Sequence, residues 1–196
     1  KSTVFSFEVF PPKRTSSIDT IYSTLDQLKN LRPDFISVTY GAGGNVADQS
    51  TCEIASIIQN TYHIEPLAHL TCVSSTKEEI LQNLARLKER NIRSILALRG
   101  DFSPDHPPKT DFRHASDLIA FIREQDPEFH LSAACYPEGH IECDSLVEDV
   151  LNLKRKADAG AEHLVSQLFF DNAAFYAFLE RARIAGITQP IEAGIM

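Results

Sequence analysis

Apolar stretches of strand length alternate with segments of helical period from one end of the chain to the other. A short apolar run bounded by turn residues indicates a buried strand, whereas apolar residues three or four positions apart indicate one face of a helix. The pattern predicts seven strands, at residues 4–9, 35–40, 67–72, 94–98, 131–135, 163–167 and 191–195. It predicts six helices between them, which contain or begin near Ile18, Ile54, Ile80, Ala115, Ser145 and Phe175.

Local signals support several of these boundaries. Pro11 and Pro12 stop the first strand, because proline cannot donate to a strand ladder. Thr76 and Glu79 have the spacing of a capping box at the start of the third helix. Gly160 stands where the fifth helix needs a residue that accepts a left-handed conformation, so we expect that helix to end there.

Strict alternation of strands and helices with short connections predicts an α/β protein with a parallel sheet. Seven strands at intervals of about 30 residues favour a (βα)₈ TIM-type barrel of which about seven strands are present. Residues 1–196 are then one incomplete catalytic barrel. An open doubly wound sheet is the alternative, but the glycine-rich turn typical of it does not follow the first strand. Residues 41–44 supply glycines after the second strand without the full motif.

Composition excludes several classes of function. The ordinary balance of 43% hydrophobic and 23% charged residues is that of a globular protein. The net charge of -8 argues against binding to nucleic acid or to an anionic membrane. The four cysteines form no closely spaced pair, which argues against a metal site and favours a reducing, cytoplasmic location. We find no apolar run of membrane-spanning length and no signal peptide, and we expect terminal residues to have been lost because the initiator Met is missing.

The first strand carries the most informative polar residue. Active sites of barrel enzymes form at the carboxyl ends of the strands. Strand alternation places Phe5, Phe7 and Val9 against the helices and turns Glu8 toward the barrel axis. A partly desolvated carboxyl has a raised pKa and can serve as a general acid. A salt bridge from Glu8 to Arg99, which would lower that pKa, is the alternative.

Other strand ends are individually ambiguous. Gly100 permits a tight turn or close backbone approach to a ligand. Asp101 is a ligand contact, a second acid or the cap of a turn. His69 is more typical of a hydrogen-bonded core histidine than of a metal ligand, and His140 has either a ligand contact or no role. The helix after the fifth strand has four polar residues at helical spacing, which taken alone indicate a solvated face: Asp149, Asn152, Arg155 and Lys156.

Read together, the strand ends resemble those of the methylenetetrahydrofolate reductases. The resemblance covers essentially the whole chain, in the family's order. Its motifs are FSFEVFPP at 5–12, VTYGA at 38–42, AHLT at 68–71, ALRGD at 97–101, ACYPE at 134–138 followed by His140, NLKRK at 152–156 and QLFFD at 167–171. Each motif is modest alone, and seven in register make coincidence improbable.

The resemblance implies a barrel with FAD as cofactor that reduces 5,10-methylenetetrahydrofolate with NADH or NADPH. It implies catalytic roles for Glu8 as general acid, Asp101 against the pterin, and Gln167 against folate and nicotinamide in turn. The positions that match flavin or nicotinamide contacts are Thr39, Tyr40, Ala42, His69, Leu98, Arg99, Gly100, Asp101, His114, Ala115, Tyr136, His140, Asp149, Asn152, Arg155 and Lys156. His114 departs from the family, which often has tyrosine there, so its flavin contact is an open question.

Two other functions stay open at this point. A pterin methyltransferase on the same fold would need no flavin, and a non-catalytic relative would bind folate or a partner subunit without redox chemistry. A homo-oligomer and the choice between NADH and NADPH are likewise left open.

Overall fold

A computed structural model describes residues 3–12, 19–40, 45–102, 104 and 107–195 of the chain. Strands and helices alternate throughout these residues, and a 3₁₀ turn at Lys29–Leu31 extends the first helix. Ile18 and Ala42 lie outside the described residues. The elements are β1 (Ser6–Val9), α1 (Asp19–Leu28), β2 (Phe35–Val38), α2 (Asn45–Asn60), β3 (Glu65–Thr71), α3 (Lys77–Glu89), β4 (Ser94–Leu98), α4 (Ala115–Gln125), β5 (His130–Cys135), α5 (Leu146–Asp158), β6 (His163–Ser166), α6 (Asn172–Ile184) and β7 (Ile191–Glu192).

The seven strands of the described residues form one parallel sheet whose spatial order is the chain order, from β1 to β7. A doubly wound sheet reverses its strand order at a switch point. The consecutive order therefore excludes that alternative and confirms the barrel-type arrangement. The sheet is curled so that its first and last strands approach each other. The Ser6 hydroxyl on β1 donates a hydrogen bond to the Glu192 carboxylate on β7.

The two faces of the sheet have different environments. Outward-facing side chains such as Val9, Ile36 and Ile95 are buried against the helices in a continuous apolar core. Phe5 was expected in that layer, but it lies before the first residue of β1 and is 47% exposed. Its ring packs edge-on against Phe7 instead, at 4.8 Å between centroids.

Helix boundaries follow the predicted capping signals. Thr76 accepts from the backbone N–H of Glu79, and the Glu79 carboxylate accepts from the backbone N–H of Thr76, which confirms the capping box. Ser145 caps α5 in the same way by accepting from Glu148. Gly160 has a φ of 120°, the positive value that the predicted helix stop requires.

Four predicted strands are shorter in the structure: β1 at its start, and β2, β6 and β7 at their carboxyl ends. Thr39 and Gln167 were placed within strands but fall just beyond β2 and β6. The Thr39 N–H still donates to the Val9 carbonyl at 3.0 Å, and the Gln167 N–H donates to the Cys135 carbonyl at 2.8 Å. Both residues therefore stay hydrogen-bonded to the neighbouring strand although they lie beyond the regular ladder. The last strand stops at Glu192 rather than at Ile195. These residues consequently belong to the loops that form the mouth of the curled sheet.

Candidate active site

A cavity of about 980 Å³ opens at the carboxyl ends of the strands. This volume lies at the upper end of the roughly 300–1,000 Å³ typical of small-molecule and cofactor sites. Most predicted site residues converge on it, as expected for strand ends in a barrel. Those that line it are Glu8, Thr39, Tyr40, His69, Leu98, Arg99, Gly100, Asp101, Tyr136, His140 and Gln167.

Glu8 faces the cavity from β1, opposite Ser37 in the register with β2. Its side chain is 47% exposed, and burial of the remainder raises the pKa of the carboxyl above its ordinary value. The alternative of an ion pair with Arg99 is wrong, because Arg99 is paired with the Glu142 carboxylate. The carboxyl at this strand end therefore retains its proton to higher pH than an ordinary glutamic acid.

A buried histidine lies beside Glu8. His69 Nε2 is 3.6 Å from Glu8 Oε2 and 2.6 Å from the Ser37 hydroxyl. Burial lowers the pKa of His69 to about 4, so the imidazole is neutral at neutral pH. This confirms the interpretation of His69 as a hydrogen-bonded core histidine. Ser37 was missed, although the period-two alternation that turns Glu8 inward does the same for Ser37.

The turn after β4 shapes the cavity wall. The Arg99 carbonyl accepts from the N–H groups of Cys72 and Val73, at 3.1 and 2.8 Å, and so ties this turn to the end of β3. Gly100 has a φ of 86°, and a Cβ there would lie 3.0 Å from the Thr71 Cβ. The backbone approach therefore requires glycine. Asp101 follows at the exposed rim.

The Arg99 guanidinium has partners on all three nitrogens. Nη1 and Nη2 each donate to one Glu142 oxygen, at 2.6 and 2.9 Å, and Nε donates to the Gly100 carbonyl at 3.1 Å. The guanidinium also lies over the Phe102 ring, 4.8 Å from its centroid. Glu142 was not singled out from the sequence, since no periodicity indicates which loop residue meets Arg99.

The polar residues of α5 are not a fully solvated face. Asp149 is 8% exposed, and burial raises the pKa of its carboxyl. Lys156 donates from Nζ to the Ala134 carbonyl at 2.5 Å and lies over the Tyr136 ring, and burial lowers its pKa. The prediction of a solvated face is wrong for these two residues, because α5 turns them toward the barrel.

The outer two polar residues of α5 behave as predicted for a surface. Asn152 is half-buried and Arg155 is exposed, and Arg155 donates to both Asn152 and Glu148. The face therefore runs from buried Asp149 through half-buried Asn152 and Lys156 to solvent at Arg155, and none of the four is among the described residues that line the cavity.

Two predicted contacts lie outside the cavity lining, and a third lies at its exposed rim. His114 and Ala115 begin α4, and neither is among the described residues that line the cavity. His114 is exposed, and its backbone N–H donates to the Asp117 carboxylate at 2.9 Å. The Gln167 side chain is exposed at the rim, where its Oε1 accepts from the N–H of Leu168 at 3.2 Å.

Neither a metal-binding cluster nor a membrane-spanning helix is found among the residues that the structure describes. They contain no group of three or more acidic, histidine or cysteine side chains arranged to bind a metal ion. Of the helices in the same part of the chain, none has the length and apolar character that a membrane span requires.

The family model described as methylenetetrahydrofolate reductase matches residues 1–196, the whole of this sequence. The chain belongs to the methylenetetrahydrofolate reductase family. Methylenetetrahydrofolate reductase 1 of Schizosaccharomyces pombe is 39% identical over 201 residues, which cover 100% of this chain. The 5,10-methylenetetrahydrofolate reductases of Salmonella typhimurium and Escherichia coli are each 41% identical over 192 residues, which cover 97% of it.

The relatives named above are longer than the present sequence. The aligned region spans 33% of the S. pombe relative and 63% of the two bacterial relatives. The chain therefore corresponds to part of a longer catalytic polypeptide in each of them.

Solved structures share the fold at low identity. An uncharacterized protein from Clostridium thermocellum that binds two copies of 5-methyl-5,6,7,8-tetrahydrofolic acid has a TM-score of 0.64 and 16% identity, covering 97% of this chain and 65% of its own. Phosphonopyruvate hydrolase has a TM-score of 0.61 and 14% identity, covering 97% and 76%. At this identity the likeness shows the fold alone.

Proposed function

We propose that this protein reduces 5,10-methylenetetrahydrofolate to 5-methyltetrahydrofolate, with electrons from NADH or NADPH passing through FAD. Membership of the reductase family and the names of the relatives support the reaction. The observation in this chain that carries the proposal is Glu8, an inward carboxyl at the cavity whose pKa is raised by burial.

The reaction requires an acid that is protonated at working pH. The methylene carbon of the substrate bridges two nitrogens and accepts hydride poorly until one carbon–nitrogen bond breaks. That bond breaks more easily when the departing nitrogen is protonated. Glu8 suits this role as general acid, and its neighbour His69 is neutral and adds no positive charge that would favour ionised Glu8.

The residues around the cavity suit FAD. Bound FAD would accept hydride from the nicotinamide and deliver it to the folate. The Arg99 fork matches a phosphate, Gly100 lets the turn that carries Arg99 pack closely on Thr71, and Tyr136 provides an aromatic wall. On α5, Asp149 supplies a buried carboxyl and Lys156 an ammonium over the Tyr136 ring. Asp101 and Gln167 would contact folate from the rim of the cavity.

Spectra of the purified protein test this function. We expect flavin absorbance that bleaches under nitrogen with NADH or NADPH and returns when methylenetetrahydrofolate is added. A colourless protein that does not take up FAD would favour a flavin-free methyltransferase. A flavin that is never reduced, or that is reduced but never reoxidised by the folate, would indicate a non-catalytic relative.

Replacement of Glu8 separates the two half-reactions. Glu8→Gln should retain FAD and normal reduction by the nicotinamide, because that step needs no protonation of folate. Reoxidation by methylenetetrahydrofolate should slow by roughly 10²–10⁴-fold, the range for loss of a general acid. Stopped-flow absorbance of each half-reaction gives both rates.

Glu65→Gln is the matched control. It makes the same chemical change in a carboxylate at the opposite end of a strand, where Glu65 accepts from the Ser94 hydroxyl. Both of its half-reaction rates should match those of the unmodified protein. Normal folate turnover in Glu8→Gln, or loss of FAD from it, would refute the assigned role.

A further inference from the structure

The Arg99–Glu142 ion pair crosses the cavity mouth from the end of β4 to the loop before α5. Both terminal guanidinium nitrogens are used by the two carboxylate oxygens, at 2.6 and 2.9 Å. The hydrogen bonds to Arg99 lower the pKa of Glu142, so its carboxylate is ionised at neutral pH. A carboxylate thus occupies the two-pronged donor set that would otherwise bind a phosphate.

Arg99 is the cation best placed for an anionic ligand among the described residues of the cavity lining. The other lining cation is Lys109, whose ammonium is bound to both Glu79 oxygens at 2.6 and 2.7 Å. Lys156 is half-buried beside the Tyr136 ring, and its ammonium is bound to the Ala134 carbonyl. A phosphate entering the cavity would therefore meet Arg99, whose guanidinium is already bound to Glu142.

Arg99 does not depend on Glu142 for its position. Its Nε donates to the Gly100 carbonyl, and its guanidinium lies over the Phe102 ring. These two contacts hold the guanidinium when the carboxylate leaves. Glu142 is 48% exposed, so its side chain can rotate into water while its backbone N–H stays bonded to His140 Nδ1 at 3.1 Å.

We propose that Glu142 is a built-in competitor for the phosphates of FAD at Arg99 and that it sets the affinity of the protein for this cofactor. The proposal rests on the proposed function, because it takes FAD as the anionic ligand. Each binding event must break the Arg99–Glu142 pair. The apparent association constant is therefore the intrinsic constant multiplied by the fraction of molecules in which the pair is open. Removing the negative charge of Glu142 should therefore tighten binding.

Flavin fluorescence titrations of the purified protein test the competition. Glu142→Gln keeps the side-chain size, and we expect it to bind FAD roughly 3–10-fold more tightly than the unmodified protein, with the fold-change reporting the closed fraction. Asp144→Asn, two residues away, removes the same charge from an exposed position of the same loop and should leave the affinity unchanged. Riboflavin, which lacks phosphates, should bind both variants and the unmodified protein equally.

The competition is refuted if Glu142→Gln binds FAD no more tightly, if Asp144→Asn gains as much, or if riboflavin gains equally. Calorimetric titration with inorganic pyrophosphate separates this from the proposed function. If FAD fails to bind the unmodified protein while pyrophosphate binds Glu142→Gln more tightly, competition at Arg99 stands and FAD is the wrong ligand. If pyrophosphate shows no gain either, the competition is wrong as well. Thermal melts confirm that each variant is folded.

Discussion

At the scale of single residues, the site places side by side two titratable groups whose uncharged forms are favoured by burial. Burial raises the pKa of the Glu8 carboxyl and lowers that of the His69 imidazole, so each favours its uncharged form. Their facing atoms are 3.6 Å apart. A carboxyl that keeps its proton to higher pH than an ordinary glutamic acid, beside an uncharged imidazole, suits the role of proton donor.

The histidine makes folding stability depend on pH. The pKa of His69 is about 4 in the folded protein against 6.5 for an ordinary histidine, so the unfolded chain binds more protons between these values. The stability is fully present above pH 6.5 and is lost as the pH falls toward 4. At about 1.4 kcal/mol per pH unit, the loss amounts to roughly 3 kcal/mol.

His69→Gln tests this dependence, because glutamine can hydrogen-bond Ser37 but does not titrate. Urea denaturation at pH 7 and at pH 4.5 gives the free energy of unfolding for both proteins. The unmodified protein should lose more stability on acidification than the variant, by roughly 2–3 kcal/mol. Equal losses would mean that His69 is protonated in the folded protein at pH 4.5.

Glu8 should contribute the opposite pH dependence. Its raised pKa means that the folded protein binds more protons, so stability falls as the pH rises from the ordinary glutamate value through the raised one. Glu8→Gln removes this loss. The variant should melt at a higher temperature than the unmodified protein at neutral pH and at the same temperature near pH 4. A lower melting temperature at neutral pH would show that the ionised carboxylate is stabilised in the fold.

At the scale of elements, the junction of β3 and β4 defines the cavity wall. The turn after β4 is tied to the end of β3 by two backbone hydrogen bonds to Arg99. Gly100 lies in contact range of Thr71, so wall and turn pack without space for a side chain. A change at this junction should affect both stability and ligand binding.

Gly100→Ala and Gly186→Ala separate backbone strain from steric contact. Both glycines have positive φ, 86° and 79°, so each alanine costs about 1–2 kcal/mol of conformational strain. A Cβ at Gly186 meets only Lys154 Cε at 3.7 Å, whereas at Gly100 it presses on Thr71. Gly100→Ala should therefore lose more stability in urea denaturation, and only Gly100→Ala should weaken FAD binding. Equal effects of both variants on FAD binding would contradict the role of the close approach.

At the scale of the whole molecule, a polar network inside the sheet joins strands distant in sequence. Glu192 on β7 accepts from Ser6 on β1, and its other oxygen is 3.5 Å from His163 Nε2 on β6. His163 Nδ1 lies 3.4 Å from the Ser132 hydroxyl on β5. The first and last described strands are thus linked by side chains across the interior.

A double-mutant cycle of Ser6→Ala and Glu192→Gln measures this link. A hydrogen bond to a charged group contributes roughly 1.5–3 kcal/mol, so the two substitutions should be non-additive by about 1 kcal/mol or more in free energy of unfolding. Chemical denaturation of the four proteins gives the coupling. Additivity within about 0.5 kcal/mol would show that the contact contributes nothing to holding the strands together.

The sequence determined the order and kind of the elements. The alternation of side chains along a strand is a local property, and it correctly predicted that Glu8 faces the cavity. Capping is also local, and it correctly began α3 after Thr76. Parallel order then brings every strand end to one mouth, so the convergence of the site residues followed from the repeating pattern alone.

Only the tertiary structure decided which charges meet and which are buried. Arg99 pairs with Glu142 rather than Glu8, because the loop before α5 reaches the end of β4. Asp149 is buried and the Lys156 ammonium is bound to the Ala134 carbonyl rather than solvated, because packing sets the rotation of α5 about its axis. Such pairings join residues far apart in the chain through loop paths and helix rotations, and neither leaves a periodic signal in the sequence.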